Sequence, residues 1–166
     1  MNKINSGFTI IEVIIYIALF SLLMGSAFVT AYQLIDGSGK LSAKNTVQEE
    51  GNFVMRKFNW ALTGISNDLV NITSPPQVSP YTSSTLSIMK WQTGLKIPIV
   101  IKYDTATSSI LMREGTNSFL PITTSNVEVT SLQFRFIPPN GSSPAGIKAT
   151  ATINGTDFSI TKYIRK

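Results

Sequence analysis

A single carboxylate, Glu12, lies in the apolar run of residues 8–31, where the only other ionisable side chain is Tyr16. A charged group inside a membrane-length apolar run is costly unless it is paired, so it indicates a functional group whose partner is another charge. The chemistry that this pattern predicts for Glu12 is charge pairing. The alternative is an interfacial carboxylate that merely reaches out to water.

The apolar run itself is long enough to cross a bilayer, since a spanning helix needs about 20 apolar residues. A secretory signal peptide is one interpretation, with Lys3 in its basic region and Ser26-Ala27 as a weak cleavage site. Its apolar region would be only about 7–15 residues long, however, and the run is clearly longer. The second interpretation, a retained anchor, fits the length better.

The composition excludes several kinds of catalytic and metal site, because the 166 residues include no cysteine and no histidine. This excludes disulfides, thiol nucleophiles, Cys/His zinc sites and catalytic triads with a histidine base. The acidic residues form no tight motif, and Asp104-Thr105 is typical of a turn. We therefore expect no enzyme, no metal site and no cofactor. The net charge of +5 is spread along the chain, so a nucleic-acid partner is an alternative without specific support.

The stretch Gly7-Phe8-Thr9-Ile10-Ile11-Glu12-Val13 resembles the processing site of type IV prepilins and pseudopilins. The resemblance implies that residues 1–7 are a leader peptide. It also implies that prepilin peptidase, a membrane aspartyl protease, cuts after Gly7 and methylates Phe8 as the new N-terminal residue. Glu12 then stands at the fifth mature position, where the family carries a glutamate.

Cleavage after Gly7 would create a positive amine on Phe8, which is opposite in charge to Glu12. The proposed partner of Glu12 is this amine on a neighbouring subunit, and the pair would set the axial register of a filament. The segment would serve first as an anchor and later as a filament core. The resemblance further implies three kinds of partner, namely other pilin or pseudopilin subunits, prepilin peptidase and the inner-membrane assembly platform. It places the chain as a single-pass protein of the inner membrane, with a cytoplasmic N-terminus and a periplasmic or extracellular head.

Two features favour a minor subunit over a major one. Major pilins often carry a proline at mature position 22, which is Val29 here, and the element Ala18-Leu19-Phe20 is similar to minor pseudopilins of the I and J kinds. A major pilin of an adhesion or DNA-uptake pilus is the alternative. Whether the filament serves type II secretion, adhesion and twitching, or DNA uptake stays open.

The predicted fold class is α+β, with a long N-terminal helix packed on a C-terminal antiparallel β-sheet head. Residues 8–31 are its membrane-spanning and filament-core part, residues 32–70 its amphipathic second half, and residues 71–166 the head. Gly37 and Gly39 mark either a joint inside this helix or a true interruption. Apolar residues from Val47 to Leu69 recur at helical spacing.

The head is predicted from alternating apolar runs separated by turn residues. Residues 71–84, rich in proline, serine and threonine, are predicted to form a loop. Asn154-Gly155 between two runs is a strong hairpin signal. The predicted strands cover residues 85–91, 97–103, 109–113, 127–137, 147–153 and 158–164.

Overall fold

The computed structural model describes residues 9–65, 72–92 and 94–164. They form one long helix, α1, from Ile10 to Leu62, followed by nine strands. The chain divides into two compact units, one ending at Lys44 and the other beginning at Asn45. Each unit is described by itself below.

The described part of the first unit, residues 9–44, is one helix, and over residues 10–35 it is apolar on every side. From Thr9 to Asn45 every residue except Glu12 is exposed, including the large apolar side chains of Ile10, Ile14 and Phe20. An 18-residue window of α1 has a mean hydropathy of 2.2, so the helix is long and apolar enough to cross a membrane. A helix that is hydrophobic on all sides needs a membrane or a protein core around it. The predicted apolar anchor helix is confirmed in this sense.

The glycine-rich stretch around Gly37 and Gly39 does not interrupt the helix. Lys40 Nζ lies 2.8 Å from Asp36 Oδ2, one helical turn away, and this i,i+4 ion pair spans the two glycines. An exposed pair of this kind contributes only a few tenths of a kcal/mol. Of the two options that the sequence left open, the structure therefore has the continuous helix.

In the second unit, the last third of α1 becomes amphipathic and buries one face. Val54, Phe58 and Ala61 are fully buried, and Gly51 lies on the same face. Phe58 meets Phe134 edge to face, with ring centroids 5.4 Å apart and an interplanar angle of 62°. Such aromatic pairs contribute beyond the area they bury. The helical stripe predicted from the sequence is thus the face that packs on the sheets.

The helix ends at Leu62, so the predicted helix end at residue 70 is wrong for residues 63–65. Gly64 takes a positive φ of 85°, a conformation that favours glycine, and Ile65 then forms a β-bridge with Lys90. Lys90 Nζ donates a hydrogen bond of 2.7 Å to the carbonyl of Trp60, in the last turn of the helix. Sheet pairing and this lysine therefore satisfy the helix end.

The head contains two antiparallel sheets, whereas a single sheet was predicted. The five-stranded sheet has the order β1-β3-β4-β5-β6 and the four-stranded sheet the order β2-β7-β8-β9. The strands are β1 Ile72–Ser74, β2 Thr82–Ser83, β3 Thr85–Gln92, β4 Leu95–Asp104, β5 Ser109–Glu114, β6 Leu120–Pro121, β7 Val129–Ile137, β8 Gly146–Ile153 and β9 Thr156–Tyr163.

All six predicted strands are confirmed, with ends that differ by up to two residues. The three that the sequence did not indicate are β1, β2 and β6, each of two or three residues. Both β1 and β2 lie in the stretch predicted as a loop. Segments of two or three residues are too short to show an alternation that a sequence pattern can detect.

The predicted alternation of buried and exposed residues and the predicted hairpin are both confirmed. In β7, Leu132, Phe134 and Phe136 are buried while the residues between them are exposed. Asn154 and Gly155 both have positive φ angles, 46° and 75°, and they join β8 to β9 in a two-residue turn. These values match the left-handed conformation that a tight hairpin requires.

Candidate functional site

Glu12 lies in the first turn of α1 and is the one residue among 9–45 that is partly covered. The phenol oxygen of Tyr16, one helical turn further on, lies 3.5 Å from Glu12 Oε1, with the phenol as donor. Sequence reasoning named both residues as ionisable but did not connect them. The i,i+4 spacing was the available signal, since it places two side chains on one helical face.

No lysine or arginine occurs between Glu12 and Lys40. The two residues are 28 positions apart, which corresponds to roughly 42 Å of helix at 1.5 Å per residue. A carboxylate with no cation in reach on its own helix must find one elsewhere if it is to stay charged in an apolar setting.

Two hydroxyl side chains of this apolar stretch donate to the helix backbone. Ser26 Oγ donates to the carbonyl of Leu23 at 2.8 Å, and Thr30 Oγ1 donates to the carbonyl of Ser26 at 2.9 Å. A carboxylate cannot do the same, because it only accepts hydrogen bonds. Glu12 is therefore chemically distinct from these hydroxyl residues.

Gly7 and Phe8, the predicted cleavage and methylation residues, lie outside the described residues. The structure thus places one of the three predicted site residues, Glu12, at the beginning of the described helix.

A second feature is the outward face of the five-stranded sheet, where cations lie on aromatic rings. Lys102 Nζ and the Arg113 guanidinium lie 4.3 and 4.8 Å from the Phe119 ring centroid. On the same face, Lys96 Nζ lies 5.7 Å from the centroid of Trp91, its cross-strand partner. The two lysines are six positions apart along β4, which corresponds to about 20 Å.

Asp104, at the end of the same face, stabilises the turn that follows β4. Its carboxylate accepts hydrogen bonds from Thr107 Oγ1 at 2.7 Å and from the backbone N–H of Ala106 at 3.2 Å. These bonds, the first being the larger cause, hold the pKa of Asp104 below its ordinary value. No group of three or more potential metal ligands occurs among residues 9–65, 72–92 and 94–164.

The comparisons with known proteins bear on the first of these features. A family model described as the prokaryotic N-terminal methylation motif matches residues 2–28, a range that contains Gly7, Phe8, Glu12 and Tyr16. No curated protein and no solved structure matches the chain. The motif coincides with the exposed apolar start of a helix whose other end packs on antiparallel sheets. The motif, together with a long helix followed by antiparallel sheets, therefore fits a precursor of the type IV pilin and pseudopilin kind.

Proposed function

We propose that the chain is a structural, non-enzymatic subunit of a type IV pilus-like filament or a type II secretion pseudopilus. One observation carries the proposal: the methylation motif at residues 2–28 covers the exposed apolar start of α1, and Glu12 is the one carboxylate among residues 9–31. An apolar helix with every side exposed needs partners of its own kind once it leaves the bilayer. Other copies of such helices supply them.

In the proposed mechanism, prepilin peptidase cuts after Gly7 and methylates the new amine of Phe8. The amine keeps its positive charge and pairs with Glu12 of a neighbouring subunit. Because both charges leave water, the pair sets register more than it adds stability. The lack of any cation between Glu12 and Lys40 supports a partner from another chain.

Mass spectrometry of the mature chain tests the processing step. We expect a chain that begins at Phe8 and carries one additional methyl group. A Gly7→Val variant should keep its leader, because the peptidase can no longer accept the small residue before the cut. Gly25→Ala is the matched control and should be processed normally, since a Cβ there meets nothing within 4 Å. A mature chain that begins at Met1, or that is cut after Ala27, would contradict the processing step.

A Glu12→Ala variant tests the charge pair. The variant should insert in the membrane and lose its leader, but it should fail to join filaments, because the neighbour's amine would be left without a partner. Glu49→Ala removes the same group from an exposed position of α1 and should join filaments normally. Normal incorporation of Glu12→Ala would contradict the proposed mechanism.

We further propose a minor subunit, on the basis of Val29 and the element Ala18-Leu19-Phe20. Quantitative mass spectrometry of sheared filaments should find a few copies of this chain for many copies of another pilin. A filament composed mainly of this chain would instead identify a major pilin. Deletion of the gene, followed by assays of secretion, adhesion, twitching and DNA uptake, distinguishes the systems.

The proposed orientation has the N-terminus in the cytoplasm and the head outside the inner membrane. Lys3 before the apolar run agrees with the preference of short cytoplasmic segments for basic residues. A C-terminal fusion to an enzyme that folds only in the periplasm should be active. An active fusion to a reporter restricted to the cytoplasm would reverse the orientation.

The outward face of the five-stranded sheet favours a second candidate function, the binding of single-stranded nucleic acid. Three cations and two aromatic rings lie there, and the strand residues of that face include one carboxylate, Asp104. Basic grooves with aromatic side chains are typical of proteins that bind single strands.

Binding of an oligo-dT probe should weaken with salt, with a slope of about −2 if three phosphates are contacted. Lys102→Gln/Arg113→Gln should abolish it. The matched control Arg135→Gln/Lys148→Gln, a cross-strand pair of cations on the other sheet, removes the same charge and should have little effect. Equal losses in both double variants would indicate unspecific attraction to the net charge.

A further inference from the structure

We propose that Tyr16 is the positioning residue of the Glu12 carboxylate, holding it for the amine of the next subunit during assembly. The inference rests on the proposed function of Glu12 and adds a second residue to it. Tyr16 is the other ionisable side chain of residues 8–31. Its phenol oxygen lies 3.5 Å from Glu12 Oε1.

The helix places the two residues on one face, and the usual rotamers of helical side chains favour the contact. Residues four apart lie on one face, one above the other, and long side chains lean toward the helix N-terminus. Tyr16 therefore leans toward Glu12 and not away from it. The coverage of Glu12 agrees, since it is the one residue among 9–45 that is not exposed.

The apolar surroundings strengthen the hydrogen bond between Tyr16 and Glu12. In hydrocarbon a carboxylate has no water to donate to it, so a hydroxyl donor on the same helical face gains in importance. The phenol is the donor in reach on the same face. A hydrogen bond to an ionised acceptor is stronger than one between neutral groups, and more so where the dielectric constant is low.

The carboxylate has room for both partners. It carries two oxygens with about four acceptor positions in all. The phenol engages Oε1 from the C-terminal side of Glu12, which leaves Oε2 for an amine. Tyr16 thus aims the carboxylate before the neighbour arrives, and it remains bonded when the charge pair forms. Pre-organisation of this kind lowers the cost of association.

The test compares Tyr16→Phe with Tyr32→Phe in the full-length chain, in cells that assemble the filament. Both variants lose one hydroxyl from an exposed tyrosine of α1, and Tyr32 is 75% exposed. Leader removal and the amount of membrane-inserted protein should be unchanged in both. The fraction of the membrane pool that joins filaments should fall about tenfold for Tyr16→Phe, as expected for one lost hydrogen bond to a charged group, and should stay unchanged for Tyr32→Phe.

A spectroscopic readout separates positioning from a structural role. The chain is labelled with 13C-glutamate and reconstituted in phosphatidylethanolamine–phosphatidylglycerol vesicles. The infrared band of Glu12 is the difference between the unaltered chain and Glu12→Ala. Tyr16→Phe should shift this band, because the carboxylate loses a donor, whereas Tyr32→Phe should not.

The outcomes keep this inference apart from the proposed function. If Glu12→Ala blocks incorporation while Tyr16→Phe incorporates normally, the positioning role is refuted and the charge pair stands. An unshifted Glu12 band in Tyr16→Phe refutes it too, even if incorporation falls. If Glu12→Ala itself incorporates normally, the proposed function fails and the inference fails with it.

Discussion

At Gly51 the helix lies directly against the Phe158 ring of the four-stranded sheet, and replacement of this glycine by alanine provides a sharp test of the packing. A Cβ built at Gly51 would overlap three carbon atoms at the tip of the Phe158 ring. Phe158 belongs to β9 and is only 9% exposed. The ring therefore occupies the space that any side chain at position 51 would need.

Two opposing effects set the expected size of the change. Alanine is better than glycine inside a helix by roughly 1 kcal/mol. Overpacking a core costs about 1–3 kcal/mol, and complete displacement of a phenylalanine costs about 3–5 kcal/mol. Since the overlap involves the whole ring tip, we take the upper end of the overpacking range. Gly51→Ala should then lower the free energy of unfolding by about 2 kcal/mol.

The assay is thermal unfolding of the detergent-solubilised full chain, followed by near-ultraviolet circular dichroism. For a head of this size, 2 kcal/mol corresponds to a fall in Tm of about 8 °C. Gly39→Ala is the matched control, because it makes the same change in the same helix where a Cβ meets nothing within 4 Å. Its Tm should not fall.

A double-mutant cycle identifies the cause. Phe158→Leu removes the ring tip, so Gly51→Ala should be neutral or stabilising in that background, with a coupling energy of about 2 kcal/mol. Additive effects of the two substitutions would refute the assignment of the loss to this contact. A Gly51→Ala variant as stable as Gly39→Ala would refute the close packing itself.

Two further predictions concern the head. Burial is the main cause that lowers the pKa of Lys90, with the charge of Glu114 opposing it, so the folded chain binds fewer protons than the unfolded one between that lowered pKa and the ordinary value. In urea unfolding, the unaltered chain should therefore gain stability relative to Lys90→Met as the pH rises through this window. At neutral pH the variant should be about 1 kcal/mol less stable than the unaltered chain, because the carbonyl of Trp60 loses its donor. Gly155→Ala should cost about 1 kcal/mol, owing to the φ of 75°. Asn154→Ala should cost at least as much, since its Oδ1 also accepts a 2.6 Å hydrogen bond from the backbone of residue 128; equal stability of either variant and the unaltered chain would contradict the strained turn.

The sequence predicted those elements whose cause is local. An apolar run, a two-residue turn such as Asn154-Gly155 and the alternation of Leu132, Phe134 and Phe136 each carry their own signal. The six long strands followed from such signals. Their partition into two sheets did not, because pairing between distant strands depends on tertiary packing that no single run encodes.

The features that escaped prediction depend on contacts distant in sequence. Gly51 permits the approach of Phe158, which is more than a hundred positions away. The helix was predicted to continue to residue 70, yet it ends at Leu62 and Ile65 pairs with Lys90. The contact of Lys90 with Trp60 appears only once both elements are placed.

The change in character along α1 is the physical basis of the proposed double role. From Ile10 to about Ile35 the helix offers apolar side chains in every direction, whereas from Gly51 to Leu62 it buries one face and exposes polar groups on the other. A helix surface that is apolar on all sides is stable both in hydrocarbon and in a bundle of similar helices, because both environments can contact any face of it. Such a surface leaves axial register undefined, since one apolar contact is much like the next. A single carboxylate removes that ambiguity, because a shift by one residue would leave a buried charge without its partner. For this reason Glu12, aided by Tyr16, is expected to determine how the subunits align, while the apolar residues determine only that they associate.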